Sequence, residues 1–397
     1  MDNFVKINDS VYVISVNDRR KELFENLWPL PEGVCYNSYV IMDEKIALLD
    51  TVESTRGAGY IDSIVRLLNG REPEYLIINH MELDHSGEVG EIKKRWPNIK
   101  IVGNAKTFKM LEGYYGITDN LVEVADGDEL DLGAHKLKFV FTPWVHWPES
   151  MVTYDATDQI LFSADAFGTF GTLDGALFDD QFAKGRYDSE MRRYYSNIVG
   201  KYSGMVQKAF AKLAGVPVKI IAPLHGPIWR EDPSYVMGLY DKWSKYEADD
   251  AVVVIYGTMY ENTAAVADRI ARTLAAQGVR DIRVYDASKT HVSFLISEMW
   301  RCKGIIFGSC AYNGEMLPTM NEVVSHISHL SLKNRYLGLF GSYTWNGGGV
   351  RRLNEFAEKS GWEQVAAPVE IFGIVNPDKL AECDALATAM AEKIVKK

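Results

Sequence analysis

The sequence predicts two domains, an α+β or αββα sandwich followed by a doubly wound sheet of five parallel strands. Three observations carry this. The chain has 397 residues, more than one hydrophobic core ordinarily serves. Its first part alternates short apolar runs with turn residues. After about residue 250 the rhythm changes to regular β–α repeats, opened by the continuous apolar run Ala251–Tyr256 (AVVVIY), as a strand buried on both faces requires.

In the first part, strands are expected at Val11–Val16, Ser38–Met42, Ile46–Leu49, Tyr75–Ile78, Ile101–Val102, Leu137–Phe141, Met151–Tyr154 and Ile160–Phe162. Helical spacing appears at Ser54–Leu68 and at Ser86–Trp96, with Ser86 as the expected cap. Residues Ser189–Leu213 read as helical, Lys219–Ala222 as a strand, and Glu231–Asp250 as a helix running into an acidic linker. Mixed strands and helices of this kind suit a layered sandwich.

In the second part, helices are expected at Thr263–Gln277, Ser293–Arg301, Met320–Leu330, Val350–Ser360 and Asp378–Val395. They alternate with strands at Asp281–Tyr285, Gly304–Gly308, Tyr336–Phe340 and Val369–Gly373. Five such units make a doubly wound domain. The boundary falls near residue 250, giving domains 1–249 and 250–397.

Composition narrows the function. Hydrophobic residues make up 47% and charged residues 24%, with a net charge of −11, which argues against a general nucleic-acid binder. No apolar run approaches a membrane span, and MDNFVKINDS lacks the pattern of a signal peptide. The four cysteines, Cys35, Cys302, Cys310 and Cys383, show no C-x-x-C spacing. Reduced thiols in a cytoplasm are expected, with no thiolate iron site of the rubredoxin type on this chain.

Two constellations carry chemistry. The first begins at His80-Met81-Glu82-Leu83-Asp84-His85, four potential ligands in six residues at the end of an apolar strand. His146 (in WVHWPES), Asp165 (in SADA) and His225 (in PLHGP) also follow apolar runs. A lone histidine is more often structural; four loops that each bring a ligand to a strand end point to a metal centre. The set holds four imidazoles and three carboxylates, a hard donor set that favours octahedral metals over tetrahedral zinc. His135, His291, His326 and His329 lie outside it.

The second constellation is three loops. Gly257-Thr258-Met259-Tyr260-Glu261-Asn262-Thr263 leads into a helix N-terminus, where backbone N–H groups and hydroxyls suit a phosphate. It is neither a Walker A loop nor a G-x-G-x-x-G dinucleotide loop. Gly308-Ser309-Cys310-Ala311-Tyr312-Asn313-Gly314 and Gly341-Ser342-Tyr343-Thr344-Trp345-Asn346-Gly347-Gly348-Gly349 follow the third and fourth strands. They flank the switch point where doubly wound sheets bind ligands. A monophosphate flavin, FMN, suits these loops, with Tyr312 and Trp345 beside its ring.

HMELDHSG, HWPES, Asp165 and GTMYENT, in this order, resemble the flavodiiron proteins over essentially the whole chain. Their first domain resembles the metallo-β-lactamase fold, with Glu82 where the zinc hydrolases carry a second His, and their second resembles flavodoxin. Glu149 stands where many members have Asp. The resemblance implies FMN and two non-haem irons, His80, Glu82 and His146 holding one, Asp84, His85 and His225 the other, and Asp165 bridging. His85 does not ligate in every member. It further implies reduction of O2 to water or of NO to N2O, with electrons from a rubredoxin or related reductase. It implies a head-to-tail homodimer, alone or as a dimer of dimers, in which the flavin of one chain serves the irons of its partner. Tyr194 and Tyr195 lie in the stretch that resembles the gas-pocket tyrosine, and Trp147 is expected to wall the pocket. The rival readings are a zinc hydrolase and an FMN-only electron-transfer or gas-sensing module.

Overall fold

The computed structural model describes residues 4–395. The chain folds into two compact units, residues 1–195 with 202–241, and 196–201 with 242–397.

In the first unit the chain runs β1 (Phe4–Lys6), β2 (Val11–Asp18), β3 (Leu23–Phe24), β4 (Trp28–Pro29), β5 (Val34–Ile41), β6 (Ala47–Leu49), α1 (Gly57–Leu68), β7 (Tyr75–Ile77), α2 (Leu83–Ser86), α3 (Val89–Arg95), β8 (Lys100–Gly103), α4 (Ala105–Tyr115) and β9 (Leu121–Glu123). There follow β10 (Glu129–Asp131), β11 (Lys136–Phe141), β12 (Met151–Asp155), β13 (Ile160–Phe162), α5 (Asp188–Tyr194), α6 (Ser203–Lys212), β14 (Ile220–Ala222) and α7 (Pro233–Ser244). One sheet has the order β1-β2-β5-β6-β7-β8-β9, the other β10-β11-β12-β13-β14. Alternation decides which side chains lie between them: in β11, Leu137 and Phe139 are buried while Lys136 and Lys138 are exposed. Tyr39, Leu49, Ile77, Phe139, Met151 and Phe162 share the core that results. β6, β7 and β8 are parallel, as are β13 and β14, so their carboxyl ends open onto common edges.

The second unit continues with β15 (Asp249–Gly257), α8 (Asn262–Ala276), β16 (Ile282–Asp286), α9 (Val292–Arg301), β17 (Cys302–Tyr312), β18 (Glu315–Met316), α10 (Pro318–His329), β19 (Tyr336–Tyr343), α11 (Gly349–Ser360), β20 (Glu363–Gln364), β21 (Val369–Phe372) and α12 (Pro377–Ile394). Its parallel strands are ordered β16-β15-β17-β19, with β20 and β21 both pairing β19 at the edge. α8 and α12 cover one face through Val266, Ile270, Leu274, Leu386 and Met390. The sequence thus predicts the fold class correctly in both halves.

Several local expectations differ. Ser86 does not cap a following helix; it ends α2, and its hydroxyl donates to the Met81 carbonyl at 2.9 Å. The acidic pair Asp249 and Asp250 opens β15 instead of closing a linker, and Asp249 pairs with Lys242 at 2.6 Å. The stretch Ser189–Leu213 is interrupted between α5 and α6 by a wide turn at Tyr195–Val199 and a tight one at Gly200–Tyr202. There Asn197 donates to the Ser293 carbonyl at 3.1 Å, a bond within the second unit. Helix α4 has no counterpart among the expected elements; Asn104 caps it by accepting from Lys106 and Thr107. Finally, Ser309–Tyr312 and Gly341–Tyr343 are strand, since β17 and β19 run on past their predicted ends.

Candidate metal and flavin sites

The ligand-bearing residues leave adjacent strand ends. His80, Glu82, Asp84 and His85 follow β7, His146 lies between β11 and β12, and Asp165 and His225 follow the paired strands β13 and β14. Asp50, just beyond β6, fixes the first loop. Its carboxylate accepts from the Asn79 backbone and side chain, each at 2.8 Å, and from the His80 N–H at 3.1 Å.

These residues gather into two groups that meet at Asp165. Asp165 Oδ2 lies 3.1 Å from His146 Nε2 and 3.4 Å from His80 Nε2. Glu82 Oε2 completes that group, 3.0 Å from His146 and 3.3 Å from His80. Asp165 Oδ1 faces the other way, 3.0 Å from His85 Nε2 and 3.8 Å from His225 Nε2. Asp84 Oδ2 stands 3.3 Å from each of those imidazoles, which are themselves 2.9 Å apart. Two donors bound about 2.1 Å from one ion at angles of 90–109° are about 3.0–3.4 Å apart, so the spacing suits an ion in each group.

The donors' own state fits a metal as well. Both Asp84 oxygens and Asp165 Oδ1 are buried without a hydrogen-bond partner, a costly arrangement unless a cation faces them. The His225 Nδ1 donates to the Cys35 carbonyl at 2.8 Å, which leaves Nε2 as a lone pair aimed into the site. His80 Nδ1 is held by Glu149 at 2.9 Å, and Glu149 also accepts from the Met81 N–H. Burial alone would raise Asp165; the His85 and His80 imidazoles reverse this and hold it well below the usual carboxylate range. Burial likewise opposes protonation of His146, but Asp165 and Glu82 carry it up to about 9. Divalent cations would balance these carboxylates in place of protons on the imidazoles.

Glu149 would act on a metal held here through His80. Glu149→Gln is expected to lower iron affinity about 10- to 100-fold, the usual effect of losing an outer carboxylate, with flavin content unchanged. Iron binding followed by competition with a chelator measures this.

The two tyrosines separate. Tyr194 packs its ring 5.5 Å from His225, with its hydroxyl buried and unpartnered. Burial, and after it Asp165, pushes its pKa far up. Tyr195 hydrogen-bonds Ser203 at 2.8 Å and packs on Tyr240. Trp147 lies edge-on to His80, with ring centroids 5.4 Å apart. Sequence reasoning missed Asp50 and also Glu25, which Trp28 Nε1 holds at 3.0 Å and which burial and then Glu82 push up to about 7. A polar residue directly after an apolar strand run was the available signal for Asp50.

A third group, His135, Asp155 and Asp158, is structural. His135 Nδ1 pairs with Asp155 at 2.8 Å and Nε2 with Ser10 at 2.7 Å, so both nitrogens are satisfied. The Asp155 bond raises the His135 pKa above 6.5. The charged pair therefore stabilises the fold fully below about pH 6.5, and the contribution fades as pH rises through the raised value. His135→Gln is expected to lower stability by about 3 kcal/mol at acid pH and by less in alkali, read from thermal unfolding of both proteins across pH. His291 caps α9, and His326 and His329 bond carbonyls of their own helix.

In the second unit, Thr258, Met259, Tyr260, Asn262 and Thr263 line a cleft with Cys310, Ala311, Asn313, Gly314 and Ser342–Asn346. The Thr258 hydroxyl is buried without a partner, and Thr263 and Ser342 share a bond of 3.0 Å. These hydroxyls and the α8 N-terminus fit a phosphate. Tyr260 and Trp345 stand 85% and 76% exposed at the rim, where a flat ring would cover them. A Cβ on Gly348 would sit 2.1 Å from the Gly314 carbonyl oxygen, so only glycine lets these loops close together.

Four predicted residues do not line the cleft. Ser309 turns inward, donating to the Cys310 carbonyl and accepting from Leu317. Tyr312, carried on by the β17–β18 hairpin, lines a neighbouring cavity with Met316, Arg352 and Glu355. Glu261 adopts a left-handed backbone just before α8, and Gly347 sits against Glu370.

A two-metal cluster on a β-lactamase-like sandwich, followed by a doubly wound flavin fold, defines a class of metalloflavoprotein oxidoreductases. Comparison with known proteins narrows it. Residues 34–226 match the ODP family beta lactamase and residues 254–395 match flavodoxin. The anaerobic nitric oxide reductase flavorubredoxin of Pectobacterium atrosepticum is 33% identical over 346 residues, covering 85% of this chain and 67% of the relative. That of Escherichia coli O1:K1 is 33% identical over 336 residues, covering 83% and 70%. Rubredoxin oxygen:oxidoreductase from Desulfovibrio gigas superposes with a TM-score of 0.94 at 28% identity over 98% of each chain. A flavo di-iron protein variant from Thermotoga maritima gives 0.90 at 27% identity over 99% of each. The chain belongs to the flavodiiron protein family. It is an oxidoreductase whose cofactors are FMN and a pair of non-haem irons.

Proposed function

We propose that this chain reduces O2 to water, NO to N2O, or both, at the Asp165-bridged cluster. Electrons come through FMN from an external donor of the rubredoxin type. The observation that carries this is the two-sided placement of Asp165, one oxygen toward each group of ligands. The names of its relatives support both gases and a rubredoxin donor.

In this reading residues 1–249 form the di-iron domain and 250–397 the FMN domain. His80, Glu82 and His146 hold one iron, Asp84, His85 and His225 the other. An iron pair held by these residues would supply a gas-binding, electron-donating centre. The protein's own residues do the rest. Glu149 and the Cys35 carbonyl fix the orientation of His80 and His225. Tyr194 presents an unpartnered hydroxyl beside His225, ready to hydrogen-bond or protonate reduced gas, and Trp147 limits access for water. Thr258, Asn262 and Thr263 hold the flavin phosphate.

A head-to-tail homodimer is part of the proposal. Leu83, beside two ligands, is 50% exposed, and Trp144, two residues before His146, is 42% exposed. Exposed apolar residues of this size beside the metal ligands suit coverage by a partner copy. We place the protein in the cytoplasm: its four cysteines are buried thiols, and no described helix is long and apolar enough to cross a membrane.

Anaerobic reduction of iron- and FMN-loaded protein, with O2 and NO consumption followed in parallel, tests the function. Two irons per chain and catalytic loss of at least one gas are expected. Two zinc ions, inert flavin and hydrolysis of thioesters or lactones would overturn it. Tyr194→Phe is expected to lower turnover about tenfold or more with iron content intact. Sedimentation of an active, strictly monomeric species would exclude the dimer.

A further inference from the structure

A second, largely apolar cavity lies in the first unit, where α6 crosses the outer face of the second sheet. Its volume is about 30 Å³, and its walls include Val145, Val152, Leu161, Ala166, Val206 and Phe210. A single water needs only about 10–15 Å³ of such space, but it also needs two to four polar partners. Of the three polar side chains in the lining, Thr142, Ser163 and Tyr240, the last two are already engaged. Ser163 Oγ donates to the Ala166 carbonyl at 2.8 Å, and the Tyr240 hydroxyl donates to the Gly168 carbonyl at 3.5 Å. The cavity is therefore a poor site for water and a good one for a small apolar solute.

Its position gives that chemistry a use. Val145 immediately precedes His146 and Ala166 immediately follows Asp165. The inner wall is thus built by the sequence neighbours of two ligands of one metal group. The outer wall is different. Val206 is buried, whereas Ala209, Phe210 and Leu213 on the same side are part-exposed. No residue of the lining carries a charged side chain. Water has little to gain along it, and an uncharged diatomic loses little on leaving solvent.

We infer that this cavity is a binding site for apolar diatomic gas, which concentrates O2 or NO beside the metal centre. The inference rests on the gas-reductase reading above, but its central measurement does not require turnover. Neither Val206 nor Ala209 belongs to the metal or flavin machinery. Phenylalanine at position 209 fills the cavity from its part-exposed side, and alanine at position 206 enlarges it.

The experiment uses xenon as the probe, on crystals of the holoprotein under pressure, alongside gas-dependent kinetics. Xenon is expected between α6 and the sheet in the native protein. It should be absent in Ala209→Phe and more highly occupied in Val206→Ala. Ala209→Phe should also raise KM for the gas several-fold, with kcat, iron and FMN content unchanged. An empty cavity in native crystals would overturn the inference, as would Ala209→Phe that expels xenon while KM stays the same. Either result leaves the gas-reductase reading standing, which fails only if native protein consumes neither gas.

Discussion

Asp165→Ala is expected to abolish gas reduction while leaving the flavin fully reducible. The carboxylate serves both ligand groups at once, within 3.1 Å of His146 on one side and 3.0 Å of His85 on the other. Alanine removes the shared anion and leaves four imidazoles facing two cations with two carboxylates. Loss of an outer carboxylate costs about 10- to 100-fold in metal affinity; loss of this one, inside both groups, is expected to exceed ~100-fold. The cleft in the second unit is built from other residues altogether. Iron analysis, O2 and NO uptake, and a reductive titration of FMN on the same sample read all three outcomes. A variant that kept two irons and native turnover would refute the bridging role.

The second large effect is expected at the other site. Thr258→Asp places a carboxylate where a buried, unpartnered hydroxyl now points, at the mouth of the α8 N-terminus. Like charges brought together away from water cost several kcal/mol. About 3 kcal/mol corresponds to roughly a hundredfold weaker binding, so FMN should be lost on gel filtration. Thr258→Ser, which keeps the hydroxyl, should retain it. Iron content is expected to remain native in both, and gas reduction to fall only in the first. If Thr258→Asp bound FMN as tightly as the native chain, the phosphate would have to sit elsewhere.

The two sites are unequally legible in the sequence. The candidate metal loops can be read because each potential ligand follows an apolar strand, and strand ends in a layered fold converge on an edge. Asp50 escapes such a reading because its task, bonding the backbone of Asn79 and His80, involves a strand that is distant in sequence and adjacent in space. The flavin loops come out in the order expected, but four of the expected members do not line the cleft. β17 and β19 extend further than their apolar runs suggest, because Ser309 and Cys310 pair with Gly341 and Ser342. That pairing turns Ser309 inward, and the hairpin to β18 takes Tyr312 away from the cleft.

Tyr194 and Tyr195 show the limit most directly. Neighbours on a helix point about 100° apart, and nothing in their own sequence says which direction holds the metals. The fold sets Tyr194 against His225 and gives the Tyr195 hydroxyl to Ser203.

By itself, the order of residues determined the two-domain fold class, a set of hard candidate metal donors and a turn suited to phosphate. Those follow from local periodicity and from chemistry carried within a few residues. Only the tertiary structure decided which oxygen of Asp165 faces which group, which tyrosine stands beside the metals and where an apolar cavity meets their loops. Such matters depend on distances between segments far apart along the chain, and packing alone sets those.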